Sequence, residues 1–374
     1  MFLGSNKNKS MFENIYKNKN VLITGHTGFK GSWLTSWLLK LGANITGVSN
    51  EIPTKPAMFN EIGLASKILD INLDIRNLED LKKVINSSKP DFVFHLAAQA
   101  IVSTSYRDPV ETISTNVIGT MNVLEALRDY DKSCVAIMIT SDKCYDNVEW
   151  TWGYRETDQL GGKDIYSGSK GAAELVIKSY VNSFFKNDER IKVCVGRAGN
   201  VIGGGDWAAD RIIVDCMKAW NNNKKLEIRS PNATRPWQHV LEPLSGYLSL
   251  GQKLYNDKSI NGEAFNFGPR SEQNHTVVQL IKDLSKFFEL KNNLGYEITD
   301  NIKFHEASLL KLNCDKALSF LRWESTLHYK DTIRLVAEWY KHYYDKNSNL
   351  YEFTLNQINE YEKKATDNKK YWTK

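Results

Sequence analysis

The sequence predicts an α/β fold in which a doubly wound parallel sheet is joined to a smaller C-terminal lobe. Apolar runs rich in β-branched residues alternate with amphipathic stretches of helical period through the first half of the 374 residues. A glycine-rich turn joins the first apolar run to the first helical stretch. After residue 198 the alternation becomes irregular, and a chain of this length commonly divides into two lobes.

Five apolar runs are predicted strands, and the stretches between them are predicted helices. The strands are Val21–Ile23, Asn44–Val48, Asp91–Leu96, Val135–Thr140 and Lys192–Val195. The helices include Trp33–Leu41, Leu78–Ile85 and Asn116–Leu127. Continuous β-branched runs separated by helices are typical of a parallel sheet that is covered on both faces.

The glycine-rich turn predicts a dinucleotide site. Gly25, Gly28 and Gly31 are spaced three residues apart between the first strand and the first helix. Glycines let backbone N–H groups approach a pyrophosphate at a helix N-terminus, where the helix dipole favours negative charge. A glycine turn without a ligand is the alternative, but the strand-to-helix context favours the dinucleotide. The turn supplies cofactor-binding candidates at Gly25, Thr27, Gly28, Phe29, Lys30 and Gly31.

This site sets the expected domain organisation. Residues 20–198 form a Rossmann-like, dinucleotide-binding domain, with a later return near 237–268. Residues 199–236 and 269–340, where the pattern is irregular, form the substrate-binding lobe.

Both ends of the chain are expected to fray. Residues 1–19 are polar and rich in Asn and Lys, which predicts a leader segment rather than a signal peptide. Residues 341–374 are aromatic and highly charged, which predicts a helix followed by a frayed end.

Composition and charge exclude several classes of partner. The net charge of +5 is mild and scattered, so a nucleic-acid groove is not indicated, although a phosphorylated small molecule is compatible with it. The five cysteines lack C-x-x-C spacing, as is typical of reduced cytosolic thiols. No run approaches the ~20 apolar residues of a membrane span, and the seven histidines have no metal spacing. We expect a cytoplasmic protein without a metal, a membrane span or nucleic acid.

Tyr166 and Lys170 predict chemistry on an alcohol. They lie one helical turn apart and so share a helix face, where the ammonium would lower the pKa of the phenol toward neutrality. Ser141 would hold the same substrate hydroxyl by a hydrogen bond. Such a pair is common on protein surfaces, but beside a dinucleotide site it predicts removal of an alcohol proton while the carbon loses hydride.

Other polar residues follow predicted strands. Asp142 and Lys143 come directly after Val135–Thr140, which predicts that they enter the same crevice as Tyr166, although a solvated charge pair is the alternative. Asp74 follows a strand-like run and would either contact the adenine amine or form a loop salt bridge. Small residues after Asp91–Leu96 leave room for a nicotinamide; they are Ala97 and Ala98.

The second half offers donors suited to a nucleotide sugar. Arg197 and Asn200 follow a predicted strand and are expected to position a pyrophosphate or a sugar. Forked guanidinium donors suit a pyrophosphate, and at least one of three is expected to contact the ligand: Arg211, Arg229 and Arg235. Two tryptophans would either stack on a base or fill the core, and both alternatives stay open; they are Trp207 and Trp237.

Several segments together resemble the extended short-chain dehydrogenase/reductase family over nearly the whole chain. They are Gly25–Trp33, Phe94–Gln99, Ser105–Pro109, Thr140–Tyr145, Trp152–Glu156, Arg197–Trp207 and Arg235–Val240. Within that family they resemble the CDP-glucose 4,6-dehydratases. Lys143 follows Asp142 as in those enzymes, whereas the related dTDP-glucose dehydratases have Glu at that place.

The resemblance implies a redox-neutral dehydration of CDP-glucose to CDP-4-keto-6-deoxyglucose through NAD. Tyr166, with Lys170 and Ser141, takes the proton of the 4-hydroxyl while C4 gives hydride to the nicotinamide. Lys143, in its neutral form, then removes the C5 proton. Asp142, in its protonated form, gives its proton to the departing 6-hydroxyl, and hydride returns to C6.

The resemblance also implies binding residues. Those for the cofactor beyond the glycine turn are Asp74, Ile75, Leu96, Ala97, Ala98, Thr140, Tyr166 and Lys170. Those for the substrate are Gln99, Ser103, Asn200, Trp207, Arg211, Arg229 and Arg235.

A homodimer or homotetramer is implied as well. The contact would be a two-fold four-helix packing through the helix of Tyr166, whose apolar stripe could equally pack on the chain's own sheet. The stripe consists of Ala172, Leu175, Val176 and Tyr180.

The choice between NAD and NADP rests on the second strand. It ends Val48-Ser49-Asn50 with Glu51 displaced, where NAD sites commonly place an acid, and Lys30 would tolerate a 2′-phosphate. The resembled enzymes share this pattern and use NAD, so NAD is expected.

Three alternatives remain to be distinguished. The same chemistry could act on another nucleotide hexose. A 4-epimerase would need Tyr166 and Lys170 but would have no use for Asp142 and Lys143. A non-catalytic dinucleotide-binding scaffold would have no need of Tyr166.

Overall fold

The computed structural model describes residues 10–228, 230–270, 272–288, 296–298, 309–346 and 349–374. The strands are β1 Asn20–Thr24, β2 Asn44–Ser49, β3 Leu69–Asn72, β4 Phe92–His95, β5 Cys134–Ile139, β6 Ile191–Arg197, β7 Val201–Ile202, β8 Leu226–Ile228, β9 Thr234–Arg235, β10 Gln238–His239, β11 Ala264–Asn266, β12 His275–Thr276 and β13 Tyr296–Ile298. The α-helices are α1 Phe29–Lys40, α2 Met58–Glu61, α3 Leu78–Ser88, α4 Val102–Arg107, α5 Pro109–Ile113, α6 Thr120–Arg128, α7 Ile165–Tyr180, α8 Ile212–Asn221, α9 Leu241–Asn256, α10 Val277–Ser285, α11 Asp315–Leu321, α12 Tyr329–Tyr344 and α13 Leu350–Asp367.

Seven parallel strands form the central sheet in the order β11-β6-β5-β4-β1-β2-β3. The chain passes outward from β1 in both directions, so the strand order reverses between β1 and β4. Ligands of such sheets bind at the carboxyl ends of the strands beside this reversal. The predicted doubly wound parallel sheet is confirmed.

The five predicted strands correspond to β1, β2, β4, β5 and β6 with small differences at their ends. The sheet adds β3 and β11 at its two edges, which are short and therefore carry a weak pattern. The helix predicted over Asn116–Leu127 begins as a π-helix, Ser114–Gly119, and continues as α6.

Alternate residues of the central strands pack into separate cores on the two faces of the sheet. Val21 and Ile23 of β1 join the larger core beneath α1, α9 and the C-terminal helices. Leu22 joins a second core with residues of α3, α6 and α7. Burial on both faces explains why these strands read as continuous apolar runs.

Three two-stranded sheets lie outside the central sheet, β10-β7, β12-β9 and β13-β8, and α8 and α10 contact β8 and β12. In the described part of the chain, no helix combines the length and apolarity needed to cross a bilayer.

Expected fraying is wrong for the described parts of both ends. Near the N-terminus the ring of Phe12 stacks on Trp372 at 5.0 Å between centroids, and Tyr16 Oη donates to the Leu248 carbonyl at 2.6 Å. Helix α13 packs on α1, where Tyr361 meets Trp37 edge to face. Apolar and aromatic side chains within these polar segments are buried in the larger core. Residues 1–9 lie outside the described residues, and the predicted domain boundaries stay predictions.

Candidate active site

The glycine turn forms a cradle that side chains would fill. Gly25 has φ +75°, and a Cβ there would lie 2.7 Å from the Ala97 nitrogen after β4. A Cβ at Gly31 would lie 2.1 Å from the Gly25 carbonyl oxygen. Helix α1 starts at Phe29, and no side chain caps it at Gly28, so its first N–H groups can meet an anionic ligand. This geometry fits the pyrophosphate of a dinucleotide.

Two side chains brace the turn against neighbouring strands. Thr27 Oγ1 is 2.7 Å from Ser49 Oγ at the end of β2 and donates to the Glu51 carbonyl at 2.7 Å. His26 Nε2 lies 2.8 Å from Asp70 Oδ1. The His26 ring fills the space beside Gly47, where a Cβ would lie 2.4 Å from ring atoms. Sequence reasoning did not single out His26, because its partners lie on β2 and β3.

Ser141, Asp142 and Lys143 follow β5 in a tight 3₁₀ turn. Ser141 Oγ accepts a hydrogen bond from the Lys143 amide at 3.2 Å and donates to Asp142 Oδ1 at 2.9 Å. Ser141 and Asp142 are buried, and Lys143 is half-buried. The local bonding therefore fixes the Asp142 carboxylate next to the Ser141 hydroxyl.

Tyr166 and Lys170 lie buried on α7, whose first turn is capped by the Asp164 carboxylate. Lys170 Nζ lies 5.9 Å from the centre of the Tyr166 ring. Burial raises the pKa of Tyr166 to about 12, while the charge of Arg211 and a hydrogen bond with Ser141 act to lower it. The hydrogen bond brings Tyr166 and Ser141 together as predicted.

The expected pKa of Tyr166 near neutrality, set by Lys170, is wrong for this structure. Burial outweighs the nearby charges, and the cation that opposes it is Arg211. Lys170 itself has its pKa lowered to about 8 by burial and by Lys30, against the opposing effects of Cys144 and Glu174.

The residues that follow β6 contact the Asp142 carboxylate. Gly199 leaves the space that the carboxylate occupies, and Asn200 Nδ2 lies 3.4 Å from Asp142 Oδ2. Asn200 has φ +53°, a backbone conformation that Asn tolerates better than most residues. Asn200 is therefore placed beside the catalytic acid candidate.

Lys30 also faces this cluster. Burial lowers its pKa to about 8, Asp142 and Asp206 act to raise it, and Arg211 acts to lower it. The charges that act on Lys30 belong to the catalytic end of the crevice, and its tolerance of a 2′-phosphate and its contact with the cofactor stay predictions. Asp206 was missed in the sequence, because nothing in its local pattern separates it from a surface acid.

Comparison with known proteins now identifies the family. The family model of GDP-mannose 4,6-dehydratase matches residues 22–336. The chain belongs to that family. The resemblance to extended short-chain dehydrogenases is thereby confirmed.

Relatives of this dehydratase family differ in substrate. The chain is 44% identical over 334 residues to the CDP-glucose 4,6-dehydratase of Salmonella typhimurium, covering 88% of this chain and 92% of that one. A solved epimerase, Mth375 of Methanothermobacter thermautotrophicus, superposes with a TM-score of 0.78 at 23% identity, covering 90% and 96%. The dTDP-glucose 4,6-dehydratase of Bacillus anthracis, solved in complex with NAD, has a TM-score of 0.72 at 21% identity, covering 90% and 99%.

Other predicted cofactor residues of this family member line the same edge of the sheet. Asp74 forms a salt bridge with Arg76, with Oδ2 2.5 Å from Nη2, so the loop salt bridge is observed and a contact to adenine stays a prediction. Ile75 is buried against Gly119. Thr140 Oγ1 donates to Glu174 at 2.5 Å. Three half-buried residues follow β4: Leu96, Ala97 and Ala98.

Two predicted substrate residues bond within the protein. Gln99 Nε2 donates to Thr112 Oγ1 at 2.8 Å, and its Oε1 accepts from the Ile101 amide at 2.6 Å. Ser103 Oγ donates to Asp210 at 2.5 Å, in the segment before α8. Their contacts to substrate stay predictions.

Trp207 was expected to bind substrate, and this is wrong. Its ring is only 4% exposed and packs edge to face on Trp339, Tyr340 and Tyr343 of α12. Trp237 is likewise buried in the larger core. The core alternative is therefore the correct one for both rings, and α12 packs over Trp207.

The arginines separate into different environments. Arg197 is buried in an ion pair with Glu174, so its expected role toward pyrophosphate or sugar is wrong. Arg211 precedes α8 and acts on Tyr166 and Lys30. Arg235 is half-buried on β9. Arg229 lies outside the described residues.

Within the described ranges, no group of three or more His, Cys, Asp or Glu side chains is arranged to hold a metal ion.

Proposed function

We propose that this protein is a cytoplasmic CDP-glucose 4,6-dehydratase that uses NAD. The observation that carries the proposal is the grouping of Tyr166 and Lys170 of α7 with Ser141, Asp142 and Lys143, which follow the carboxyl end of β5. The 44% identity to a CDP-glucose 4,6-dehydratase supports the choice of substrate.

NAD fits the cradle of the glycine turn, and when bound it supplies an oxidised nicotinamide as hydride acceptor. The first N–H groups of α1, beyond Gly28, would hold its pyrophosphate. Because Gly25 has no side chain, the Ala97 backbone can approach it closely. Ala97 and Ala98 would leave room for a flat ring.

Tyr166 is the base for the sugar 4-hydroxyl. Tyr166 accepts this proton as a phenolate, so its own phenol proton, which a pKa of about 12 retains near neutrality, must leave the site first. Ser141 bonds to the phenol, and Arg211 places positive charge near it. Lys170 lies against the ring and adds a cation below its own pKa of about 8. These three neighbours favour the phenolate at the moment of proton transfer.

Asp142 and Lys143 carry out the elimination. The 4-ketone formed in the first step makes the C5 proton acidic, and Lys143, half-buried beside the crevice, takes it. Asp142 is held by Ser141 and lies near Asn200, so its carboxyl group is fixed for donation to the departing 6-hydroxyl. An epimerase has no step that needs either residue.

Assembly as a homodimer or homotetramer is part of the proposal. Val110 of α5 is 76% exposed, and Leu175 of α7 is 55% exposed, with Ile113 also exposed on α5. Exposed apolar side chains grouped on neighbouring helices are typical of subunit contacts. From the predicted stripe, Val176 and Tyr180 instead pack on the chain's own second core.

The test is incubation of purified protein and NAD with CDP-glucose, dTDP-glucose, UDP-glucose and GDP-mannose, each followed by mass spectrometry. We expect loss of one water from CDP-glucose, and at the highest rate of the four. Preferred loss of water from another nucleotide would contradict the choice of CDP-glucose. A product of unchanged mass and inverted configuration at C4 would indicate an epimerase.

A further inference from the structure

Glu174 lies on the same face of α7 as the catalytic pair. It follows Lys170 by four residues and Tyr166 by eight. Both carboxylate oxygens are used, because Arg197 Nε donates to Oε1 at 2.7 Å and Nη2 donates to Oε2 at 2.8 Å. The side chains of Glu174 and Arg197 are each 4% exposed.

This ion pair joins three elements that carry the active site. Thr140 Oγ1 donates to Glu174 at 2.5 Å, and Thr140 directly precedes Ser141. Arg197 ends β6 and leads into Gly199, beside the Asp142 carboxylate. One carboxylate on α7 therefore fixes the ends of β5 and β6.

The remaining donor of Arg197 extends the network to the far side of the 3₁₀ turn. Arg197 Nη1 donates to Tyr145 Oη at 2.7 Å and to the Glu156 carbonyl at 3.2 Å. Tyr145 Oη in turn donates to Asn266 Oδ1 on β11 at 2.8 Å. The turn of Asp142 is thus held from both its ends.

Fold stability alone is a weak explanation for this arrangement. Removing two charges from water is costly, and a buried ion pair can often be replaced by apolar residues of similar volume without loss of stability. The pair instead lies where it sets the distance between the helix of Tyr166 and the strand ends of Asp142 and Asn200.

We propose that Glu174 and Arg197 are positioning residues of the dehydration: their ion pair aligns Tyr166 and Lys170 with Ser141 and Asp142. This rests on the proposed function. A small misalignment of reacting groups is enough to cost about 10²-fold in rate.

The same carboxylate acts on the charge of Lys170. The groups that face Lys170 are Lys30 from α1, Cys144 from the 3₁₀ turn, Glu174 from α7 and His95 from β4. Of these, Glu174 and Cys144 raise the pKa of Lys170, and Lys30 lowers it. Loss of the Glu174 charge would lower the pKa of Lys170 further. The fall of kcat at high pH, which is the alkaline limb of its pH profile, would then begin at a lower pH.

The experiment compares variants by kcat, KM, the pH profile of kcat and Tm. The double variant Glu174→Leu/Arg197→Met removes both charges, Glu174→Gln removes one, and Glu174→Asp keeps the charge but shortens the side chain. The matched control is Glu242→Gln. Glu242 is also buried and bonded, by the Thr326 amide and Tyr361 Oη, but it faces the C-terminal helix.

We expect the double variant to stay folded while kcat falls by about 10²-fold with little change in KM. The alkaline limb of Glu174→Gln should move to lower pH. Glu174→Asp should keep the limb of the wild type but have a lowered kcat. Glu242→Gln should lower Tm without changing kcat or the limb.

A folded double variant with native kcat and native limb would overturn the positioning role. So would a Glu242→Gln variant that loses as much kcat as Glu174→Gln at an equal loss of Tm. If the double variant does not fold, the positioning role is tested by the kcat and the alkaline limb of Glu174→Gln and Glu174→Asp. Wild-type protein that removes water from no nucleotide hexose contradicts the proposed function itself, which keeps the two failures distinct.

Discussion

The carboxylate of Asp142 occupies the space in which a side chain at Gly199 would begin. A Cβ at Gly199 would lie 1.8 Å from Asp142 Oδ2 and 2.4 Å from Oδ1. The end of β6 therefore receives the acid candidate that follows β5, and Asn200 reaches the same carboxylate. Because Gly199, after β6, has no side chain, the Asp142 carboxylate, after β5, can occupy this position.

Gly199→Ala should displace Asp142 and lower turnover by about 10²-fold, the cost of misplacing a reacting group. We expect the fold to persist, as measured by circular dichroism, because the clash falls on the short turn that follows the carboxyl end of β6. Gly168→Ala on α7 is the control, because a Cβ there meets no atom within 4 Å. Native turnover of Gly199→Ala would contradict the placement of Asp142.

Lys30 should give the protein a defined dependence of stability on pH. Its pKa is about 8 in the fold and about 10.4 in an unfolded chain. Between these values the unfolded chain holds a proton that the folded chain has lost, so rising pH stabilises the wild type. The free energy of unfolding of wild type minus that of Lys30→Met should be constant below pH 8, rise up to about pH 10.4, and be constant again above it.

Urea unfolding of both proteins across this range measures the difference. Lys83→Met is the control, since the side chain of Lys83 is 75% exposed and its pKa is raised by Asp80. No rise with that variant is expected between pH 8 and 10.4. A level difference between wild type and Lys30→Met throughout the range would show that Lys30 keeps an ordinary pKa.

A charge at the exposed surface of α5 should weaken the proposed assembly. Val110→Asp places a carboxylate where 76% of the side chain is exposed, and burying it against a second copy would be costly. Light scattering at micromolar concentration should show a smaller mass than for wild type. Leu318→Asp on α11, 51% exposed in the free chain, should leave the mass unchanged. Wild type that is monomeric at that concentration would exclude the assembly.

The sequence was sufficient for five of the seven strands of the central sheet and for the placement of the polar residues that follow β5. Buried strands have apolar residues on both faces, so β1, β2, β4, β5 and β6 stand out as continuous runs. Residues that follow parallel strands meet at one edge, which is why Ser141 could be expected to lie near Tyr166.

Other features depend on tertiary packing and leave no local pattern. Arg197 reads as a ligand contact until its ion pair with Glu174, 23 residues away, is known. The four-residue spacing of Tyr166, Lys170 and Glu174 does indicate that Glu174 shares the helix face of the catalytic pair. Trp207 reads equally as a base-stacking ring or as core until α12 is placed against it. The pKa of Tyr166 depends on burial, which spacing does not reveal.

The central claim is that Asp142 and Lys143 perform an elimination after a first hydride transfer that needs Tyr166. It is tested most directly by mixing Lys143→Met with NAD and CDP-glucose and following the absorbance of reduced cofactor. We predict that NADH and 4-ketoglucose accumulate on the enzyme, because C5 keeps its proton and no acceptor forms at C6. Tyr166→Phe, treated in the same way, should form no NADH. Dehydration of CDP-glucose by Lys143→Met at the wild-type rate would contradict the account.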